Sequence, residues 1–400
     1  MIFEMGGLLV TKESLNFVKN KFRDYYKANK IGLPDRFSRR EYAFVFFGGK
    51  GMIRHLGFDK KTNFSNYLIE NAPMHSYYSS AYYKIPNAIK MQDKDWMGAE
   101  LIFDLDSDHL PNAENLNYEE QLRCVKKEFY KLIYDFLIND FGFNENHLEL
   151  YFSGGRGYHC HVKDPKVFNL DGNERREIVD YITGRDLKDS LIFHEHITTS
   201  KRYGVKNYPG SKTLKMPLPD EPGWKGRISR GIIEIVDEIK KSKYPIEKLK
   251  EYGVNEKEAE KLLTDLSEDR IKRIKEGNLD QSKTIRKFFL NSALRKTAVS
   301  MSAGETDEPV TCDVKRLIRL PDSIHGKTGF KVVKINLDQL KNFNPLEHAV
   351  VFNENSIKFD LFEPFKIKIK NEEFNLKSGE NEIPTYLAVF LIGRKLGNIF

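Results

Sequence analysis

The chain has 400 residues, with 65 lysines and arginines against 58 acidic residues, a net charge of +7, and 40% hydrophobic content. This is the composition of a soluble globular protein with either roughly two or three domains or one large core carrying an insertion, and its positive excess suits a polyanionic partner without identifying one. The three cysteines, Cys124, Cys160 and Cys312, lie far apart and form no C-x-x-C pair, which argues against a disulfide framework and a cysteine zinc knuckle.

The opening stretch MIFEMGGLLVTKESL has no basic leader, and no segment approaches the ~18 apolar residues of a membrane span. A soluble, cytoplasmic protein with no membrane partner is expected. After Thr11, a good N-cap, Leu15, Val18, Phe22 and Tyr25 recur at helical spacing and predict an amphipathic helix over 12 to 29. REYAFVFFGG (40 to 49), GAELIFDLD (98 to 106) and HLELYFSGG (147 to 155) read as strands. Between the last two, residues 118 to 142 read as a helix whose apolar stripe is Leu122, Val125, Phe129, Leu132, Ile133 and Phe136.

SGGRGYHCHV (153 to 162) puts glycines and an arginine at a tight turn, so a hairpin is predicted there. From about 185 to 290 the strand pattern fades and charged amphipathic helices take over, as in EKEAEKLLTDLSEDRIKRIKEG. Strands return with KRLIRLP, GFKVVKI and FKIKI (365 to 369), and Pro384 begins a closing apolar helix. The pattern predicts a mixed α+β fold with a discontinuous core, residues 1–185 and 290–400, interrupted by a helical insertion over 186–289.

The stretch ELIFDLDSDHL (100 to 110) has aspartates at alternate positions. In a strand, Ile102, Asp104 and Asp106 share one face, with Asp108 next in the alternation, while Leu101, Phe103 and Leu105 share the other. Two carboxylates side by side on a rigid strand repel, so a cation between them or surrounding water is needed. The glycine turn at 153 to 157 offers backbone N–H groups, the Arg156 fork and the Ser153 hydroxyl, a combination able to cradle phosphate.

A second basic constellation, RLIRLPDSIHGKTGFKV (316 to 332), contains Arg316, Arg319, His325 and Lys327. Its GKT is not a nucleotide-binding phosphate loop, because the glycine required five places earlier is Pro321. The turn still presents an imidazole and an ammonium to phosphate oxygens. Upstream, Asp307, Glu308 and Asp313 supply further carboxylates, and on chemistry alone either Asp307 or Asp313 can complete a metal site begun by Asp104 and Asp106. FFGGKGMIRHLGF (46 to 58) adds Lys50, Arg54 and His55, and HSYYSSAYYK (75 to 84) adds tyrosines of the kind that stack on bases or pack in strands.

Together, REYAFVFF, HSYYSSAYY, GAELIFDLDSDHL, SGGRGYHCHV, DEPVTCDVKRLIRLPDSIHGKTG and YLAVFLI resemble the catalytic small subunit of the archaeal and eukaryotic type of DNA primase. They run in the family's order from about residue 40 to the C-terminus. The resemblance implies a nucleotidyltransferase that starts chains from NTPs on a single-stranded DNA template, using two Mg²⁺ or Mn²⁺ ions. It implies metal ligation by Asp104 and Asp106, and selects Asp307, eighteen residues before His325, as the third carboxylate. It carries phosphate contact over to Ser153, Arg156 and His159 in the first turn and to Arg319, His325 and Lys327 in the second. It also implies a heterodimer with a primase large subunit.

One departure stands out. Most relatives carry a small zinc-binding element after the D-x-D strand, but here HLPNAENLNYEEQLRC offers only His109 and Cys124, too few for a tetrahedral site, so no structural zinc is expected. The rival readings are a related metal-dependent repair polymerase or nuclease, and a non-catalytic single-strand-binding module, for which a carboxylate triad near phosphates would be a handicap.

Overall fold

Thr11 starts the first helix as the spacing predicts: its extended backbone leaves the helix path and its hydroxyl accepts from the Ser14 N–H, satisfying one of the orphan donors of the first turn. Helix α1 (Lys12–Ala28) then buries Val18, Phe22, Tyr25 and Tyr26 along one face. The computed structural model of the protein describes residues 10–110, 113–197, 200–203, 206–209, 212–279, 283–299 and 310–400. The chain forms two compact units, one of Met1–Val179 with Ser300–Phe400, the other of Asp180–Val299.

In the first unit, α1 is followed by β1 (Tyr42–Val45), β2 (Met52–Leu56), α2 (Lys61–Asn71), β3 (His75–Ser79), β4 (Ala81–Tyr83), β5 (Trp96–Ala99) and β6 (Leu101–Asp106). Then come α3 (Tyr118–Lys131), β7 (Leu148–Phe152), β8 (Gly157–Val162) and α4 (Gly172–Thr183), whose last residues belong to the second unit. The second unit contains α5 (Asp189–Ile192), β9 (His194–Ile197), β10 (Ser200–Tyr203), β11 (Lys206–Pro209) and β12 (Lys212–Lys215). It continues with α6 (Gly223–Lys241), α7 (Pro245–Glu251), α8 (Glu256–Asp265), α9 (Glu268–Lys275), β13 (Asn278–Leu279) and α10 (Lys283–Thr297). Back in the first unit, β14 (Leu317–Arg319), β15 (Val333–Ile335) and α11 (Pro345–His348) precede β16 (Ser356–Leu361), β17 (Phe365–Ile369), β18 (Glu372–Leu376) and β19 (Gly379–Pro384). Helix α12 (Thr385–Gly393) and β20 (Gly397–Ile399) close the chain.

The fold is mixed α+β. Two wholly antiparallel four-stranded sheets frame the site, in the orders β14-β3-β1-β2 and β15-β7-β8-β6. Behind the second sheet lies the stripe read from the sequence. Leu122, Val125 and Phe129 of α3 are buried, and the Phe129 ring stacks on Tyr158 of β8 at 5.2 Å between centroids. Each large apolar side chain removed from water on this face contributes roughly 1.5–3 kcal/mol. The predicted helix over 118 to 142 is α-helical only to Lys131. It begins with a capping box between Asn117 and Glu120 and widens into a π-helix over Leu132–Ile138.

Three further differences from the sequence reading have local causes. The strand expected over 98 to 106 is two strands, because the chain changes partners at Glu100: β5 pairs with β4, the Glu100 N–H donates to the Ser80 carbonyl, and β6 then pairs with β8. Residues 40 to 49 contribute only β1, since Gly48 takes a positive φ of 71° in the turn beyond it. The second unit, read as helical, also holds five short strands, β9 to β13, alongside its helices. Among the described residues no helix is long and apolar enough to cross a membrane.

The strand break is also where β6 is anchored. Glu100 is fully buried, pairs with the equally buried Arg40, and accepts from His161 Nδ1 at 2.9 Å. Burial alone would raise the Glu100 carboxyl, but Arg40, His161 and Lys163 outweigh it and hold the group well below the carboxylate range. Arg40 also reaches Asp35 at 2.8 Å and the carbonyls of Ser79 and Ser80, tying β6 to the strands of the other sheet.

Candidate active site

Residues Leu101, Phe103 and Leu105 of β6 are buried, whereas Asp104 and Asp106 on the opposite face are half-buried, as strand alternation dictates. Asp104 pairs with His159 across the ladder and Asp106 with Gly157. The His159 Nε2 lies 3.2 Å from Asp104 Oδ1. Both faces of β8 are covered, so His159 is only 3% exposed. A side chain at Gly157 would stand 2.4 Å from the Leu105 carbonyl oxygen, so glycine alone allows the strands to close opposite Asp106. The alternation ends there. Asp106 Oδ1 accepts from the Asp108 N–H at 3.2 Å, and the chain turns so that Asp108 meets Arg156 at 2.6 Å, with Asp106 3.8 Å from the same guanidinium.

The turn between β7 and β8 is built by Ser153, whose hydroxyl oxygen accepts from the N–H groups of Gly155 and Gly157, both at 3.2 Å. Gly154 has a φ of +77° and a Cβ there would sit 2.8 Å from the His325 Cβ, so conformation and space both demand glycine. Tyr118, at the start of α3, donates its hydroxyl to the Gly155 carbonyl at 2.6 Å. The fork of Arg156 is thereby presented from a fixed backbone.

The second turn follows β14. Pairing of β14 with β3 sets Arg319 opposite Tyr77, whose ring lies 4.6 Å beneath the guanidinium. Arg319 Nη1 donates to His75 Nδ1 at 2.6 Å, and the Gly326 N–H donates to the same atom at 3.2 Å. Burial pulls Arg319 below the usual arginine range, against the attraction of Tyr77, Asp104 and Asp106, which places both aspartates within its field. Burial, followed by the charges of Arg319 and Lys327, lowers His75 to about 2. His325 is buried and likewise held well below the usual histidine range, by burial first and then by Arg319, His75, Lys327 and Arg156. Thr328 donates its hydroxyl to the Gly154 carbonyl at 2.5 Å and so locks the two turns together. Lys327, in the second turn, is exposed.

Of the residues singled out in the sequence, Asp104, Asp106, Ser153, Arg156, His159, Arg319, His325 and Lys327 converge on this one face. Asp307 lies outside the described residues. Asp313 uses its carboxylate to accept from the Lys315 N–H at 2.8 Å, within a turn. Two participants escaped the sequence reading: His75 and Tyr118. His75 heads the tyrosine-rich stretch, but its link to Arg319 exists only once β3 and β14 pair, a contact between positions 244 residues apart.

Asp104 and Asp106 are hard oxygen donors on one face and fit Mg²⁺ or Mn²⁺ better than zinc. Among the described residues no group of three or more His, Cys, Asp or Glu side chains forms a metal cluster. Chemically, a carboxylate pair facing two cationic, N–H-rich turns suits a reaction at phosphorus with a polyphosphate held in place.

Comparison with known proteins agrees. The family model described as DNA primase small subunit matches residues 103–337. The DNA primase small subunit PriS of Methanosarcina acetivorans is 42% identical over 403 aligned residues, covering 96% of each chain. That of Methanosarcina barkeri is 43% identical, covering 94% of this chain and 95% of the relative. The protein of the same description from Picrophilus torridus is 40% identical over 95% of this chain and 96% of its own. With its aspartate strand and both turns inside the matched region, the chain belongs to the DNA primase small-subunit family.

Proposed function

We propose that this site carries out template-directed nucleotidyl transfer, joining NTPs into short RNA primers on single-stranded DNA and releasing pyrophosphate, with DNA primers as a second product. The observation that carries the reading is the meeting of the Asp104–Asp106 carboxylates with two basic turns tied by the Thr328–Gly154 bond.

Asp104 and Asp106, with Asp307, would hold two divalent ions, Mg²⁺ or Mn²⁺. When bound, such ions lower the pKa of an attacking 3′-hydroxyl and offset charge on the leaving pyrophosphate. His159 fixes one oxygen of Asp104, so that the carboxylate does not have to reorient during the reaction. Arg156 and Lys327 supply cationic donors to the triphosphate from opposite turns, and Ser153 sets the backbone N–H groups of the first turn. Arg319 supplies positive charge toward the aspartates. His325, kept neutral, packs its ring against the first turn without adding charge to the site. Most of the rate then comes from positioning and fixed charge.

Starting a chain requires two free nucleotides to be held together with no primer to stack on, a task that favours a second binding surface. The relatives are described as small subunits, and we assign this chain a larger partner subunit in a heterodimer. No structural zinc belongs to this account; one tightly held zinc per chain in elemental analysis would refute that point.

The deciding assay incubates the protein with unprimed single-stranded DNA, ribonucleotides and Mn²⁺, with and without a candidate large subunit. New short oligomers are the expected result. Shortening of the template instead would make the site a nuclease.

A further inference from the structure

Helix α12 ends against the second turn. A Cβ on Gly393 would stand 2.8 Å from the Gly326 carbonyl oxygen and 2.8 Å from the Lys327 carbonyl carbon, so the helix end lies flat on the backbone of the G-K-T segment. The next residue is Arg394. Its guanidinium lies 4.8 Å from the centre of the Tyr118 ring and 5.1 Å from that of Phe390. Tyr118 in turn donates to Gly155 in the first turn. Arg394 is therefore packed where the two turns and the start of α3 meet.

Among the described residues no carboxylate lies within ion-pair distance of Arg394, whereas Arg156 has Asp108 and Asp106. Burial pulls Arg394 below the usual arginine range, Tyr118 opposes that, and the positive charge of Arg156 adds to it. Two guanidiniums brought close at a half-buried position repel unless an anion joins them. Packing over the Tyr118 and Phe390 rings restricts the guanidinium, which lowers the entropy lost when it binds phosphate oxygens.

We propose that Arg394 is a further triphosphate-binding residue, donating from the end of α12 to phosphate oxygens held between the turns at 153–157 and 325–328. The assignment rests on the nucleotide-binding reading of this face and adds to it a cation from a C-terminal helix that no sequence motif marked.

The test uses the full chain and measures the Kd for ATP in Mn²⁺, the Kd for single-stranded DNA, and the melting temperature. Arg394→Met keeps apolar contact with Tyr118 and Phe390 while removing the charge, and Arg394→Lys restores the charge. The expected result for Arg394→Met is ATP binding weakened roughly tenfold to a hundredfold, with DNA binding and melting unchanged, and substantial recovery in Arg394→Lys. Wild-type ATP affinity in a folded Arg394→Met variant would overturn the proposal, as would a loss confined to DNA binding. If wild-type protein itself fails to bind ATP, the reading of the whole face falls; if it binds and the variants match it, only the role of Arg394 does.

Discussion

His159 Nε2 lies 3.2 Å from Asp104 Oδ1, directly across the β6–β8 ladder. The imidazole is buried, so its orientation is set by packing, and its Nε2 limits where the Asp104 carboxylate can turn. Partners of this kind fix the geometry of a metal-binding oxygen. Replacing His159 by Ala should weaken Mn²⁺ binding by roughly 10–100-fold. Isothermal titration with Mn²⁺ would read this directly, and an unchanged affinity in a folded variant would remove His159 from the account.

Acid should destabilise the protein through its buried imidazoles. His75 Nδ1 accepts from two groups that can only donate, Arg319 and the Gly326 N–H, so its proton sits on Nε2. An unfolded histidine titrates near 6.5, whereas burial and its cationic neighbours lower folded His75 to about 2. Between those values the unfolded chain binds more protons. The stabilisation is therefore complete above pH 6.5 and is lost as pH falls toward 2, at about 1.4 kcal/mol per pH unit for one group. His325, also held low, acts with the same sign. Urea denaturation between pH 6.5 and 5 should show His75→Gln with a shallower dependence by about one proton; an identical slope would contradict the assignment.

The Arg40–Glu100 pair supports β6 from beneath. Both side chains are fully buried, so removing one charge strands the other away from water. Glu100→Gln should cost about 3 kcal/mol in urea denaturation, with the slope against denaturant unchanged. A variant as stable as wild type would mean that Asp35, 2.8 Å from Arg40, compensates fully.

Much of this site was legible in the sequence because its parts are local. Strand alternation separates Asp104 and Asp106 from Phe103 and Leu105, and the glycines of S-G-G-R-G signal a turn by their conformational needs alone. The α3 stripe followed from helical spacing. Contacts made by strand order were not legible. No periodicity indicates that β14 pairs with β3, which brings Arg319 to His75, or that α12 ends on the G-K-T turn, which brings in Arg394. The division of 98 to 106 into two strands was hidden for the same reason, since the change of partner at Glu100 depends on Ser80, a residue of another segment.

Gly157 gives a steric test of how closely the two site strands approach each other. Its missing Cβ would collide with the Leu105 carbonyl oxygen at 2.4 Å, beside Asp106. Gly157→Ala should lower stability by roughly 1–3 kcal/mol and sharply reduce nucleotidyl transfer, because backbone cannot yield as a flexible side chain would. Thermal melting together with an activity assay checks both, and a variant with wild-type values of each would show that the strands are not closed there.

The central claim is that the carboxylates of Asp104 and Asp106 make this face a nucleotidyl-transfer centre. Unprimed synthesis on single-stranded DNA by Asp104→Ala and Asp106→Ala, beside wild-type protein of equal circular dichroism, tests it most directly. Wild-type protein should yield short oligomers and each variant none above background. Substantial synthesis by either folded variant would contradict the account.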